Sequence, residues 1–171
     1  MDPSDDELQR LRQDLARALR RACPSWLDSR RDDLLQLAML RVMSVLKREE
    51  NVVLATSYLY KVAHAVVVDE MRRAQWRRES ALDDATGEPT APSREAGPEQ
   101  RAQAREIGRG IDGCLAALAE PRRLAVTLHL QGHSVSEAAG LLGWTVKRTE
   151  NLTYRGLSDL RTCLAAKGLK P

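Results

Sequence analysis

The sequence predicts an all-α protein, with two small helical domains joined by a flexible linker. Apolar residues recur at three- and four-residue spacing through most of the 171 residues, and no stretch shows the sustained period-two alternation of a half-buried strand. Phe is absent and aromatics make up only 4% of the chain, so Leu, Val, Ala and Met must build the interior. Leu and Ala are good helix formers. One stretch departs from this pattern. Residues 81–100 read ALDDATGEPTAPSREAGPEQ, with three Pro, two Gly, a net acidic charge and Leu82 as the only large apolar side chain. Such a segment cannot bury enough surface to offset its ordering entropy, which makes it a linker. The expected division is 1–80, a linker at 81–105, and 106–171.

Each expected helix has its own signal. Leu8, Leu11, Leu15 and Leu19 place one over residues 5–23, with Asp5, Asp6 and Glu7 at its start and Arg20 and Arg21 at its end, matching the macrodipole. Cys23-Pro24-Ser25-Trp26 breaks it. Leu34, Leu37, Ala38, Leu40, Met43 and Leu46 give a broad apolar face to a second helix over 31–47. A loop follows at 48–51, and a third helix starts at Thr56 or Ser57 and runs to Glu79. Beyond the linker, helices are expected over 107–118 and 121–130, the latter with Pro121 in its first turn. Ser134-Val-Ser-Glu137 matches a capping box ahead of a short helix over 135–142, and Gly143 suits the position that ends it. Thr145 then caps a final helix toward Lys167.

Bulk properties narrow the class of function. The net charge of +3 decides little. Cys23, Cys114 and Cys163 are odd in number and form no C-x-x-C pair, which predicts reduced intracellular thiols packed as small hydrophobes. The acidic start Met1-Asp-Pro-Ser-Asp-Asp-Glu is no secretory signal, and no apolar run approaches the ~20 residues that span a bilayer. A soluble, cytoplasmic protein without membrane contact is expected. No HExxH, Walker loop or GxGxxG occurs. His129 and His133 stand at helical spacing, but Gly132 intervenes and no Cys or carboxylate completes a metal shell. No catalytic residue, metal or cofactor is therefore expected.

Two motifs point to nucleic acid. The first runs from Ser136 through Ala138, Ala139, Leu141, Leu142, Gly143, Trp144 and Thr145 into a basic-polar helix. A short helix, a tight Gly turn and a second helix form a helix-turn-helix. The second helix opens with Lys147, Arg148, Glu150 and Asn151, with Tyr154 and Arg155 one turn on. Arg reads guanine, Asn reads adenine, and Glu accepts from cytosine. The second motif, from Met71 to Glu79, holds Arg72, Arg73, Trp76, Arg77 and Arg78. Four Arg and a Trp combine phosphate neutralisation with a stacking surface, which suits single strands.

In the same order, both blocks resemble bacterial sigma factors of the sigma-70 family. Ser57-Tyr-Leu-Tyr-Lys-Val-Ala-His64 running on to Asp69-Glu-Met-Arg-Arg73 resembles the helix that recognises and melts the minus-10 promoter element. Asp33-Leu-Leu-Gln36 and Leu40-Arg41 resemble the preceding helix, which docks on core RNA polymerase. Leu118-Ala-Glu-Pro-Arg-Arg123, Gly132-His-Ser-Val-Ser-Glu137 and Leu142-Gly143 resemble the minus-35 domain. The resemblance covers about residues 5–80 and 106–166, and the short chain points to the extracytoplasmic-function group.

That resemblance implies a non-enzymatic initiation subunit that binds core polymerase and promoter DNA, both duplex and single-stranded, and is held inactive by an anti-sigma factor. It assigns Asp33, Gln36, Leu40 and Arg41 to polymerase. It assigns Asn51, Lys61, His64, Arg72, Arg73, Trp76 and Arg77 to the minus-10 element, with Asn51 in a loop that captures a flipped base. It assigns Ser134, Lys147, Arg148, Glu150, Asn151, Tyr154 and Arg155 to the minus-35 element. Leu37, Ala65 and Glu150 depart from the family pattern, where an acidic residue, Asn and a basic residue are usual. A dimeric helix-turn-helix regulator of duplex DNA is the competing reading, though the N-terminal half shows no heptad seam for pairing.

Overall fold

The structure, a computed structural model, describes residues 5–48, 54, 56–79 and 98–169, with side chains described except at 78, 79 and 98–105. All regular structure among these residues is helical. The chain forms two compact units, Met1–Pro92 and Ser93–Pro171. The boundary falls inside the expected linker, of which residues 81–97 lie outside the described residues.

The N-terminal unit comprises α1 (Asp5–Ala22), a 3-10 helix (Ser25–Arg30), α2 (Arg31–Arg48) and α3 (Thr56–Glu79). The three α-helices pack on one another. Leu11, Leu15 and Leu19 of α1 turn inward on one stripe, and so do Leu34, Ala38 and Val42 of α2. In α3, Val62, Ala63, Val66, Val67 and Met71 are buried, since this helix packs against both others. Burying each large apolar side chain contributes about 1.5–3 kcal/mol. The segment expected only to break α1 instead forms the 3-10 helix, which puts Leu27 into the core. The bounds of these three α-helices agree with expectation to within a residue, but the inward face of α2 differs from the one expected: Leu37 and Leu40 are exposed, and Leu35 and Val42 are buried with Leu34 and Ala38.

The C-terminal unit comprises α4 (Pro98–Ala117), α5 (Glu120–Leu130), α6 (Val135–Leu142) and α7 (Val146–Ala166). Helix α7 contacts each of the other three. Its core joins Cys114 and Leu115 of α4, and Leu118 just beyond it, to Val126 of α5 and Leu160 of α7. Helix α4 begins at Pro98, well before the expected start near Ile107. Its first turns lack large apolar residues, so no amphipathic period marks them. The run of Glu, Gln, Arg and Ala there has high helix propensity, and Pro98 suits a first turn.

The expectation of three reduced thiols fails for two of them. Cys114 of α4 and Cys163 of α7 form a disulfide across a Cα–Cα distance of 5.8 Å. Their sequence separation of 49 gives no local pattern, and only the packing of α4 on α7 brings them within bonding reach. Cys23 is buried and lies outside any disulfide, as a small apolar side chain would.

Gly156 of α7 lies where the helix approaches α5 most closely. A Cβ there would meet Val126 Cγ2 at 2.5 Å and the Arg122 carbonyl oxygen at 3.2 Å. Val126 is fully buried and short, so it has nowhere to retreat. Gly156→Ala gains about 1 kcal/mol of helix propensity but overpacks the interface at a cost of about 1–3 kcal/mol. Urea denaturation should show a net loss of stability; a gain would mean that the α5–α7 contact is looser than this. Among the described residues no helix is long and apolar enough to cross a membrane.

Candidate nucleic-acid interface

Local chemistry builds the helix-turn-helix. Ser134 caps α6: its hydroxyl accepts from the Glu137 backbone N–H at 3.2 Å, while the Glu137 carboxylate accepts from the Ser134 N–H at 2.8 Å. The Ser134 hydroxyl also donates to that carboxylate at 2.8 Å, so its one proton is engaged in the cap. Ser134 therefore supports the helix-turn-helix from within. Gly143 ends α6 at φ 67°, a conformation costly for residues with a Cβ, and this sets the turn angle. The Thr145 hydroxyl then accepts from the Arg148 backbone N–H at 3.3 Å and opens α7.

Helix α7 divides cleanly into two faces. Thr149, Thr153, Gly156 and Leu160 form its buried stripe. The Thr149 and Thr153 hydroxyls donate to carbonyls one turn back, at 3.1 and 2.9 Å, so burial leaves neither donor unpaired. On the opposite arc Lys147, Arg148, Glu150, Asn151, Tyr154 and Arg155 are all exposed, Tyr154 at 77%. At 3.6 residues per turn these six span roughly 160° of the helix surface. The expected minus-35 residues on this helix thus share one presentable face. Trp144, which the sequence reading did not single out, lies in the turn with the Arg148 guanidinium 4.7 Å from its ring centroid. This cation–π contact fixes where Arg148 points.

In α3, Lys61, Arg72, Arg73, Trp76 and Arg77 are exposed, and Trp76 shows half its surface. Lys61 and Arg72 stand eleven residues apart, about three turns, so they share a stripe roughly 16 Å long. Trp76 continues it one turn on. His64 departs from expectation: it is only 7% exposed, turned into the unit among Val62, Ala63 and Val66. Its position on the inward side of α3 separates it from the exposed stripe of Lys61, Arg72 and Trp76. Asn51 lies outside the described residues.

Two carboxylates next to each other organise this helix. Asp69 accepts from Arg41 Nη2 at 2.7 Å, tying α2 to α3. Arg41, expected to meet polymerase, is thus engaged within the unit. Glu70 has a side chain only 2% exposed and lies among three arginines, with Arg30 Nη1 at 2.5 Å, Arg77 Nη2 at 2.7 Å and Arg73 Nη1 at 3.9 Å. Neither Glu70 nor Arg30 was apparent from sequence. Arg73 lies three residues from Glu70, a visible helical pair, but Arg30 is 40 residues away. The other expected polymerase residues, Asp33, Gln36 and Leu40, are exposed along one side of α2, where Leu40 is 67% exposed and Leu37 40%. Among the described residues no group of three or more His, Cys, Asp or Glu gathers to hold a metal.

One unit thus carries a helix-turn-helix with an exposed polar arc and the other a basic, Trp-bearing helix, two faces whose chemistry suits nucleic acid. Residues 8–77 match the family model described as Sigma-70 region 2, and residues 109–160 match that of Sigma-70, region 4. The two matches together cover well over half of the chain, and the protein belongs to the sigma-70 family. Among solved structures it is similar to the sigma factor RpoE from Bartonella quintana, crystallised in complex with the anti-sigma factor NepR. That likeness has 17% sequence identity over 92% of this chain and 91% of the other, with a TM-score of 0.39. No curated protein sequence matches the chain.

Proposed function

We propose that the protein is an alternative sigma factor of the extracytoplasmic-function type, with no chemistry of its own. It binds core RNA polymerase through the exposed side of α2, reads a minus-35 element with α7, and holds the melted minus-10 strand along α3. Core polymerase supplies the bond-making step. The observation that carries the reading is the pairing of two distinct nucleic-acid faces on two separate units, in the region 2 to region 4 order. A polar arc on α7 suits base edges in the major groove, whereas a stripe of Lys, Arg and Trp suits phosphates and unstacked bases. An anti-sigma factor that masks these faces is the further partner the family resemblance implies.

The test is base-pair resolution of the upstream element. Holoenzyme reconstituted with the protein should select promoters that share two spaced elements from a random library. Arg148→Ala or Asn151→Ala should relax selection at a single upstream base pair, by about 1–3 kcal/mol, and leave the downstream element unchanged. Uniform weakening at all positions would show that α7 only holds phosphates. Selection of duplex sites without any core polymerase would favour a stand-alone regulator.

A further inference from the structure

We infer that Arg30 belongs, with Arg73 and Arg77, to a phosphate-binding cluster for promoter DNA, and that Glu70 is the positioning residue that holds it in shape. This deepens the sigma-factor reading and rests on it.

The inference begins with a carboxylate in an expensive place. The Glu70 side chain is 2% exposed, while the Arg30, Arg73 and Arg77 side chains around it are 42%, 59% and 58% exposed. A buried ion pair is a poor device for stability alone, since apolar residues of similar volume do as well or better. Here only the anion is buried. Glu70 Oε1 accepts from both Arg30 Nη1 and Arg77 Nη2, while Oε2 faces Arg73 Nη1. Each guanidinium has five N–H donors in a rigid fork, so an edge engaged with Glu70 leaves other donors directed to solvent.

The result is a set of arginines with limited rotamer freedom, grouped on one spot. Ordering them before the ligand arrives lowers the entropy lost on binding. Two come from α3, whose exposed stripe also carries Arg72 and Trp76, and the third comes from the 3-10 helix. Asp33 stands 4.0 Å from Arg30 Nε, at the solvent margin. Counting it, the cluster is +1, against +3 for arginines and −2 for carboxylates. A phosphate diester matches that balance and the forked donors. Arg30 thereby extends the basic surface of α3 onto the end of the 3-10 helix.

The experiment uses holoenzyme made from core polymerase and the full chain, with a fork probe: duplex upstream and single-stranded across the minus-10 element. Affinity is measured against salt concentration. Arg30→Ala should weaken binding several-fold and reduce the salt slope by about 0.7–0.9, the value for one lost phosphate contact. Arg30→Lys should keep the slope but recover only part of the affinity. Glu70→Gln is the discriminating variant. It removes a negative charge, so simple electrostatics predicts tighter binding, whereas loss of positioning predicts weaker binding at an unchanged or shallower slope. The inference is overturned if Arg30→Ala leaves affinity and slope unchanged, or if Glu70→Gln binds more tightly. Should Glu70→Gln not fold, the exposed Arg30 variants decide the matter. Failure of the wild-type holoenzyme to bind the probe at all would instead sink the sigma-factor reading, and this inference with it.

Discussion

Reducing the Cys114–Cys163 disulfide is expected to destabilise the C-terminal unit by roughly 4 kcal/mol, the chain-entropy value for a closed loop of about this length. The bond joins α4, which opens the unit, to the last turns of α7, which carries the exposed polar arc at its other end. Without it α4 is held mainly by the packing of Leu115 and Ile111. For a unit this small a loss of that size shifts the melting temperature by roughly 15–30 °C. Melts of the full chain with and without reductant would show the shift, and hydrogen exchange would locate it in α4 and α7. The Cys114→Ala/Cys163→Ala variant should melt low and ignore reductant, since alanine leaves no unpaired hydroxyl in the site. Identical melts in both redox states would mean that the two sulfurs contribute only as apolar packing. Retention of the disulfide depends on the redox poise of the compartment, so the stability of the C-terminal unit becomes linked to it.

Leu40→Asp should separate folding from polymerase binding. Leu40 is 67% exposed, so aspartate there removes no core contact and stability should stay within about 0.5 kcal/mol. A large apolar side chain left on the surface of α2, beside the exposed Leu37, is the type of residue that anchors an interface. If it anchors core polymerase, a charge in its place should cost at least about 2 kcal/mol of binding, some 30-fold in Kd. Titration of labelled protein with core polymerase reads this directly. A variant that folds and still binds core as well as the parent would move the docking surface off this side of α2. Arg41→Ala should behave differently: it leaves Asp69 without its partner, so it loses stability along with any binding.

How much of this was legible in the sequence depended on how local the signal was. The capping box at Ser134 and the αL turn at Gly143 are written within four residues each, and both form as expected. The exposed polar arc of α7 follows from helical spacing alone once its start is fixed by Thr145. Features that join distant segments were not legible. The partner of Cys114 lies 49 residues on, and Arg30 meets Glu70 across 40 residues, so neither pair leaves a periodic trace. His64 misled because its resemblance placed it on the right helix, whereas only packing against α1 and α2 decides which side of α3 faces in. The first turns of α4 were missed because helix propensity without an apolar stripe does not stand out beside a Pro- and Gly-rich segment.

The most direct test of the central claim is transcription in vitro from a promoter library, with core polymerase from the source organism, with and without the protein. The account predicts initiation that appears only when the protein is present, at sites that share two spaced elements, and that is lost in the Arg72→Ala/Arg73→Ala variant. Core polymerase that is neither bound nor redirected, while the protein alone still selects duplex sites, would contradict it.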